Sequence, residues 1–155
     1  MSYIRKVWID DVTPVSATNL NNIETGIENA LQNIAEDTTP QLGGELDCQG
    51  HTVGFTETDN GNSGTSKAIN WRLSNHQKIL MTGNCTFTFT APTKPCALTL
   101  MITNDATAGR TITLPTIKWV GGVAPVWTKT ANAIDFLQLY WNGTFYIGQA
   151  ALNCV

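Results

Sequence analysis

Two carboxylates, Asp105 and Asp135, are the acidic side chains found beyond residue 60 of this 155-residue chain. Glycoside hydrolysis commonly uses two carboxylates about 5–10 Å apart, one as acid and one as base or nucleophile. Any acid/base pair in this region would have to be these two, although Asp135 falls inside an apolar run. Ser74 and His76 lie two residues apart and lack an evident acidic partner to orient the histidine. We therefore predict that the chain is not an enzyme, with a polysaccharide depolymerase as the remote alternative.

The cysteines and histidines do not have the spacing of a metal site. The chain contains Cys48, Cys85, Cys96, Cys154, His51 and His76, with no C-x-x-C pair among them. Zinc sites usually show such closely spaced ligands. Cys85 and Cys96 alternate in step with apolar neighbours, which predicts buried free thiols rather than a disulfide. Cys154 should be the most accessible thiol, and we expect no metal and no cofactor.

Tryptophans are the side chains best suited to contact a sugar. The region rich in Thr and Asn that surrounds Trp119, Trp127 and Trp141 offers hydroxyl and amide groups to a glycan, and an indole ring could stack on a pyranose. Tryptophan is highly buried on average, so packing in the core is the alternative for each of them. Trp127 follows Ala124-Pro125 and is the candidate for a surface-glycan contact.

Charge is divided unevenly along the chain. Residues 1–59 carry ten acidic and two basic side chains, a formal −8, whereas residues 60–155 carry two acidic and seven basic ones, a formal +5. Seven basic side chains are too sparse for a strong nucleic-acid binder, so we predict no nucleic-acid partner. No window approaches the ~20 apolar residues of a membrane span, and residues 1–11 lack the apolar core of a secretory signal. We expect neither membrane insertion nor Sec export.

The helical signal is confined to residues 16–35. Ser16 is a candidate N-cap. Apolar residues then recur at steps of three and four, at Leu20, Ile23, Ile27, Ala30 and Ile34. Isoleucine at both core positions of a heptad favours three or more strands over two. We predict a short parallel trimeric bundle. The alternative is an amphipathic helix packed on its own domain.

The segments on either side of the helix have different characters. Residues 1–15 are too short to fold alone and carry apolar side chains at Tyr3, Ile4, Val7 and Trp8. They form either a strand against the chain's own body or an arm that docks to a larger assembly. Residues 36–66 are rich in Gly and small polar residues, which predicts a linker with short strands.

Residues 67–155 alternate between apolar and polar side chains throughout. About eight short segments with this period of two are separated by turns such as VGGVAP and WNG. Many short strands at such spacing are typical of a sandwich. The predicted fold is therefore mainly β with an N-terminal helix: a short trimeric helical bundle followed by an antiparallel, jelly-roll-like β-sandwich.

Three stretches resemble bacteriophage fibre proteins in the order usual for them. WIDDVTPVSATNLNNIETGIENA resembles the opening of tail-fibre, baseplate and head-fibre proteins, and DTTPQLGGELDCQGHTVG resembles a link that recurs in them. INWRLSNHQKILMTGNCTFTFTAP, AGRTITLPTIKWVGGVAPVWT and DFLQLYWNGTFYIGQA resemble a C-terminal β domain of tail and fibre proteins. The extended shaft and substantial attachment domain of long fibres have no counterpart here.

The resemblance implies a homotrimeric virion protein made in the bacterial host cytoplasm. It implies a short surface fibre, with other virion proteins bound through the N-terminus and host surface polysaccharide as a possible outer partner. A head fibre, capsid-decoration or collar protein that never touches a receptor is the alternative. The resemblance supplies no catalytic residues.

Overall fold

The structure is a computed structural model that describes residues 16–36 and 47–154, with side chains left out for residues 28–36. The chain divides into two compact units, residues 1–51 and residues 52–155. The four side chains predicted to form the docking arm, at Tyr3, Ile4, Val7 and Trp8, lie outside the described residues.

The N-terminal helix α1 spans Ala17–Glu36. Its start is fixed by Ser16, whose Oγ accepts a hydrogen bond from the backbone N–H of Asn19 at 3.3 Å. The Ser16 carbonyl accepts the first intrahelical bond, from the N–H of Leu20 at 3.0 Å. A serine in this position satisfies a backbone donor that the helix leaves unpaired at its first turn. The predicted N-terminal helix is confirmed.

Nine strands form the β domain of residues 52–155. They are β1 (Thr58–Asn62), β2 (Ser66–Asn70), β3 (His76–Met81), β4 (Cys85–Thr90), β5 (Cys96–Asn104), β6 (Ile112–Thr113), β7 (Ile117–Trp119), β8 (Ile134–Trp141) and β9 (Tyr146–Cys154). A six-stranded sheet has the order β1-β3-β5-β8-β9-β7, and a three-stranded sheet has the order β2-β4-β6.

The first six strands wind back and forth between the two sheets. Odd-numbered strands enter the six-stranded sheet and even-numbered strands enter the three-stranded sheet, so that each strand lies parallel to the strand two places earlier. Short connections suffice because each one leads to the opposite sheet rather than to a neighbouring strand. The result is three coils of a short β-helix, which β8 and β9 extend by two antiparallel pairings.

The prediction of an antiparallel, jelly-roll-like domain is therefore wrong in strand direction. Five of the seven strand pairings in the described part of the chain are parallel, the fifth being β7 with β9. An alternating sequence places side chains on two faces of a strand in the same way whether its neighbour runs parallel or antiparallel. The sequence pattern thus indicates strands and their buried face, but it does not indicate how they pair.

One buried cluster receives side chains from both sheets. Its buried members are Ile69, Trp71, Ile79, Met81, Cys85, Phe87, Leu98, Leu100, Ile102, Ile112, Ile117, Leu137, Leu139 and Tyr146. Most of these are the apolar positions of the alternating pattern, whereas Leu73 lies exposed in the turn that follows β2. Cys85, Cys96 and Cys154 carry free thiols: Cys85 is buried as predicted, Cys96 is only half-buried, and Cys154 is exposed. Burial raises the pKa of the Cys85 and Cys96 thiols, which favours their neutral form.

Candidate functional site

The apolar stripe of helix α1 is exposed along the part whose side chains the structure describes. Leu20, Ile23 and Ile27 are 48%, 38% and 57% exposed. They recur at steps of three and four, which places them along one side of the helix. Large aliphatic side chains at these exposures leave apolar surface in water that a partner helix would remove. The side chains of Ala30 and Ile34, predicted to extend the stripe, lie outside the described residues.

Trp127 is partly buried rather than freely exposed. Its ring packs edge-to-face on Trp119, with centroids 6.3 Å apart, and both rings rest against the core cluster. The side chains that do protrude are aliphatic neighbours in the same loop: Val120, Val123 and Val126 are 64%, 77% and 84% exposed. The loop turns at Gly121 and Gly122, both with positive φ. The sequence reasoning missed these valines, although the run VGGVAPV already places three of them between turn-forming residues.

A second surface that the sequence reasoning missed covers the side of β8 and β9 that faces away from the core. We call it the outer face: Phe136, Gln138, Tyr140, Ile147, Gln149 and Ala151. Gln149 Nε2 donates to Gln138 Oε1 at 2.7 Å across the two strands. Val120 joins four of these side chains in lining a shallow groove of about 340 Å³. The outer face is thus an uncharged surface of aromatic, aliphatic and amide groups.

The two candidate carboxylates are both engaged in structural contacts. Asp105 binds Arg110 through two nitrogens, at 2.8 and 3.3 Å, and this hydrogen bonding lowers the pKa of the Asp105 carboxyl. Asp135 is 2% exposed, and its two oxygens accept the backbone N–H groups of Thr128 at 2.8 Å and Asn153 at 2.9 Å. Each carboxylate therefore has an evident role in holding loops to the sheet.

Ser74 and His76 do not point their functional atoms at each other. Ser74 Oγ donates to the carbonyl of Thr56 at 2.6 Å. His76 Nδ1 lies 2.7 Å from Thr99 Oγ1, and its ring contacts Phe55 at 5.3 Å between centroids. No group of three potential metal ligands occurs among the residues that the structure describes.

The sequence was compared with models of known protein families. Residues 63–146 match the model of the family described as "Putative phage tail fibre C-terminal domain". The matched stretch is more than half of the chain and runs from just before β2 to the first residue of β9. The chain belongs to this phage tail fibre family. The resemblance to phage fibre proteins is confirmed, and the protein is a fibre-type component of a virion.

The comparisons with curated proteins and with solved structures gave no match. Within the described part of this fibre protein, no helix is both long and apolar enough to cross a membrane.

The net charge of the β domain is smaller than the formal +5 counted over residues 60–155. The compact unit begins at Thr52 and so includes Glu57 and Asp59, which gives it seven basic and four acidic side chains, a formal +3. Lys78 Nζ lies 3.3 Å from Glu57 and 3.8 Å from Asp59. Lys94 and Lys129 are exposed cations on loops and remain available to an anionic partner.

Two buried polar atoms of the β domain, Trp71 Nε1 and Tyr146 OH, have no hydrogen-bond partner among the described residues. Both belong to a row of touching rings that runs from Trp71 through Phe89 to Tyr146. Burial raises the pKa of the Tyr146 hydroxyl, with a smaller contribution from Cys96. A buried hydroxyl without a partner forms no hydrogen bond that would offset its lost hydration, so removing it should not destabilise the fold.

The Tyr146→Phe variant should therefore be as stable as the parent chain, or more stable by up to ~1 kcal/mol, at neutral pH. Because the folded pKa is raised, folding keeps this tyrosine neutral, and the parent should lose stability as pH rises above about 10, its unfolded value. The variant should lack that part of the alkaline loss. Urea unfolding at pH 7 and pH 10.5 measures both effects. A clear loss of stability at pH 7 would show that the hydroxyl has a partner.

Proposed function

We propose that the protein is a short, homotrimeric, non-enzymatic virion fibre in which helix α1 assembles three chains and the β domain faces the medium. The observation that carries the proposal is the uncovered stripe of Leu20, Ile23 and Ile27 in a protein of a tail fibre family. Isoleucine at both core positions favours three strands over two. A helix of 20 residues, about 30 Å long, offers a seam long enough to align the chains.

The non-enzymatic part of the proposal is supported by the contacts of the carboxylates. A general acid or base must have an oxygen available to the substrate. Both oxygens of Asp135 accept backbone N–H groups within the fold, and Asp105 is held by Arg110. The uncharged outer face and the exposed valines are better suited to contact than to proton transfer.

Docking to the particle is assigned to the N-terminal arm, on the basis of its sequence. Four large apolar residues lie within six positions of the sequence ahead of the helix: Tyr3, Ile4, Val7 and Trp8. Aromatic anchors of this kind carry much of the binding energy at protein interfaces. In this arrangement the arm holds the fibre on the virion while the β domain extends toward host polysaccharide, with Trp127 as one side chain for the glycan.

Host attachment is tested by salt-dependent binding of the purified protein. Its mass is first measured by light scattering, where three chains of 16.8 kDa give about 50 kDa. Binding to host cells and to extracted anionic polysaccharide should then weaken as salt rises from 50 to 500 mM (about 14 to 4 Å of screening length), because exposed charges attract less when screened.

Two variants separate the charge-dependent part of the binding from the rest. The double variant Lys94→Glu/Lys129→Glu reverses two exposed cations per chain and should remove the salt-sensitive part of the binding, whereas Thr93→Gln, a neutral change beside Lys94, should not. An assay for released reducing sugar runs alongside. Sugar release would overturn the non-enzymatic assignment. Absence of host binding at both salts, with tight association to capsids or tail parts, would favour the decoration or collar role.

A further inference from the structure

The outer face carries no charged side chain, although it is the solvent-facing side of strands β8 and β9. Strands β8 and β9 comprise IDFLQLYW and YIGQAALNC, in which Asp135 is the one charged residue, and its carboxylate is buried. Antiparallel strands with one face in water normally place polar and charged side chains on that face. Here Phe136, Tyr140 and Ile147 occupy such positions.

The pairing register arranges these side chains in continuous rows. Met101, Phe136 and Ala151 are neighbours across β5, β8 and β9, and Ala97, Tyr140 and Ile147 form a second apolar row. Between the two rows, Thr99, Gln138 and Gln149 form a row of neutral hydrogen-bonding groups. The surface is therefore a contiguous patch that extends over three strands, rather than a scatter of single exposed apolar residues.

The basic side chains of the domain lie elsewhere or are held by neighbours. Two lysines flank the patch on the same side of the sheet: Lys78 lies beside Met101 and is paired with Glu57 and Asp59, and Lys118 lies beside Ile147. Lys118, on β7 beside β9, holds its Nζ 3.7 Å above the Phe145 ring. The patch is thus rich in aromatic and apolar groups and depleted in charge, which is the composition of the buried core of a protein–protein interface.

We infer that the outer face of β8 and β9 packs against the β domain of a second copy of this chain; this inference rests on the proposed trimer. In a domain with a formal +3, a contact between copies brings like charges together unless the touching surface carries none. The outer face meets that condition. Its glutamine amides carry both donors and acceptors, so that they can pair with the same groups of another copy. The lysines at its edges are engaged by neighbours, Lys78 by Glu57 and Asp59 and Lys118 by the Phe145 ring.

Trimerisation through helix α1 would favour this contact further. Joining two binding elements in one chain turns the second contact into an intramolecular event at roughly millimolar effective concentration. A weak contact between the three β domains is then populated once the helices have assembled. The sheet contact would fix how the domains face one another, which the short helix alone does not determine.

Thiol labelling of the full chain tests the inference at single positions. Tyr140→Cys and Gln149→Cys each place a thiol on the outer face, and Leu73→Cys places one on an exposed turn as the matched control. Each is made in the parent chain and together with Ile27→Asp, which is designed to separate the chains. Labelling by a maleimide is read at each position by peptide mass spectrometry, so the native cysteines do not interfere.

The expected result is labelling of both outer-face thiols at least about tenfold slower in the assembled parent than with Ile27→Asp, because the contact must open first. Leu73→Cys should label at the same rate in both.

Light scattering on the same samples separates the two proposals. Equal outer-face rates in a parent of about 50 kDa and an Ile27→Asp sample of 16.8 kDa would overturn the contact and leave the trimer standing. Slow labelling of both thiols in an Ile27→Asp sample that stays at about 50 kDa would support the sheet contact. A parent of 16.8 kDa would overturn both proposals. Protection that arises only when polysaccharide is added would assign this face to the glycan instead.

Discussion

Replacing Ile27 with aspartate is expected to reduce the mass in solution from about 50 kDa to the 16.8 kDa of one chain. Ile27 is the most exposed of the three described seam residues and lies at the middle of the stripe. In a parallel trimer, three copies of the substituted side chain would meet on one apolar axis. Burying an unpaired charge costs several kcal/mol, and here three like charges would also repel one another. Light scattering at several protein concentrations measures the change.

Thr25→Asp is the matched control for that experiment. It introduces the same charge two residues away, at a position that the heptad spacing places opposite the seam. Its helix propensity is close to that of the parent residue, so it should leave the trimer intact. A trimer that persists with Ile27→Asp would place the contacts between chains outside helix α1.

The second large effect is expected at Asp135, where the Asp135→Ala variant should lose about 2–4 kcal/mol of stability. Truncation leaves the N–H groups of Thr128 and Asn153 without their acceptor and opens a space where the buried Asp135 carboxylate stood. These two bonds join the loop before β8 and the end of β9 to the same side chain. Urea unfolding followed by tryptophan fluorescence measures the loss as a lower midpoint, with the slope unchanged.

Two further substitutions separate a structural role from a catalytic one. Asp135→Asn keeps one acceptor oxygen and should fall between the parent and Asp135→Ala. Asp105→Asn disrupts a solvent-accessible ion pair with Arg110 and should change stability far less than Asp135→Ala. If Asp135→Ala were as stable as the parent, the carboxylate would not be holding these loops, and a chemical role for Asp135 would have to be reconsidered.

The parts of the fold that depend on short stretches of sequence could be predicted. Ser16 followed by apolar residues at steps of three and four identifies helix α1, because capping and helical period are both local. Alternation likewise places Cys85 and Phe87 in the core, since side chains of a strand point to opposite faces in turn. These features need no knowledge of which strand lies beside which.

The features that depend on distant parts of the chain were not predictable in the same way. The parallel pairing of β2 with β4 brings together residues about 20 positions apart, and nothing in either strand distinguishes it from an antiparallel neighbour. The role of Asp135 depends on backbone groups of Thr128 and Asn153 that fold back onto it. The outer face could not be identified from the sequence because both faces of β8 carry apolar side chains, and only the assembled sheet shows which face is covered.

The winding of β1 to β6 between two sheets has a consequence for how a β domain of this kind changes length. Residues paired on neighbouring coils lie 18 to 27 positions apart, from Asn62 with Leu80 to Cys85 with Ile112. Inserting or deleting one coil would lengthen or shorten the domain by one strand spacing, about 4.8 Å. At β1 the side chain of Asp59, the turn at Gly61 and an irregular register interrupt the sheet edge, so a further strand would pair poorly there. The length of the β domain would therefore vary in discrete steps, each added between existing coils.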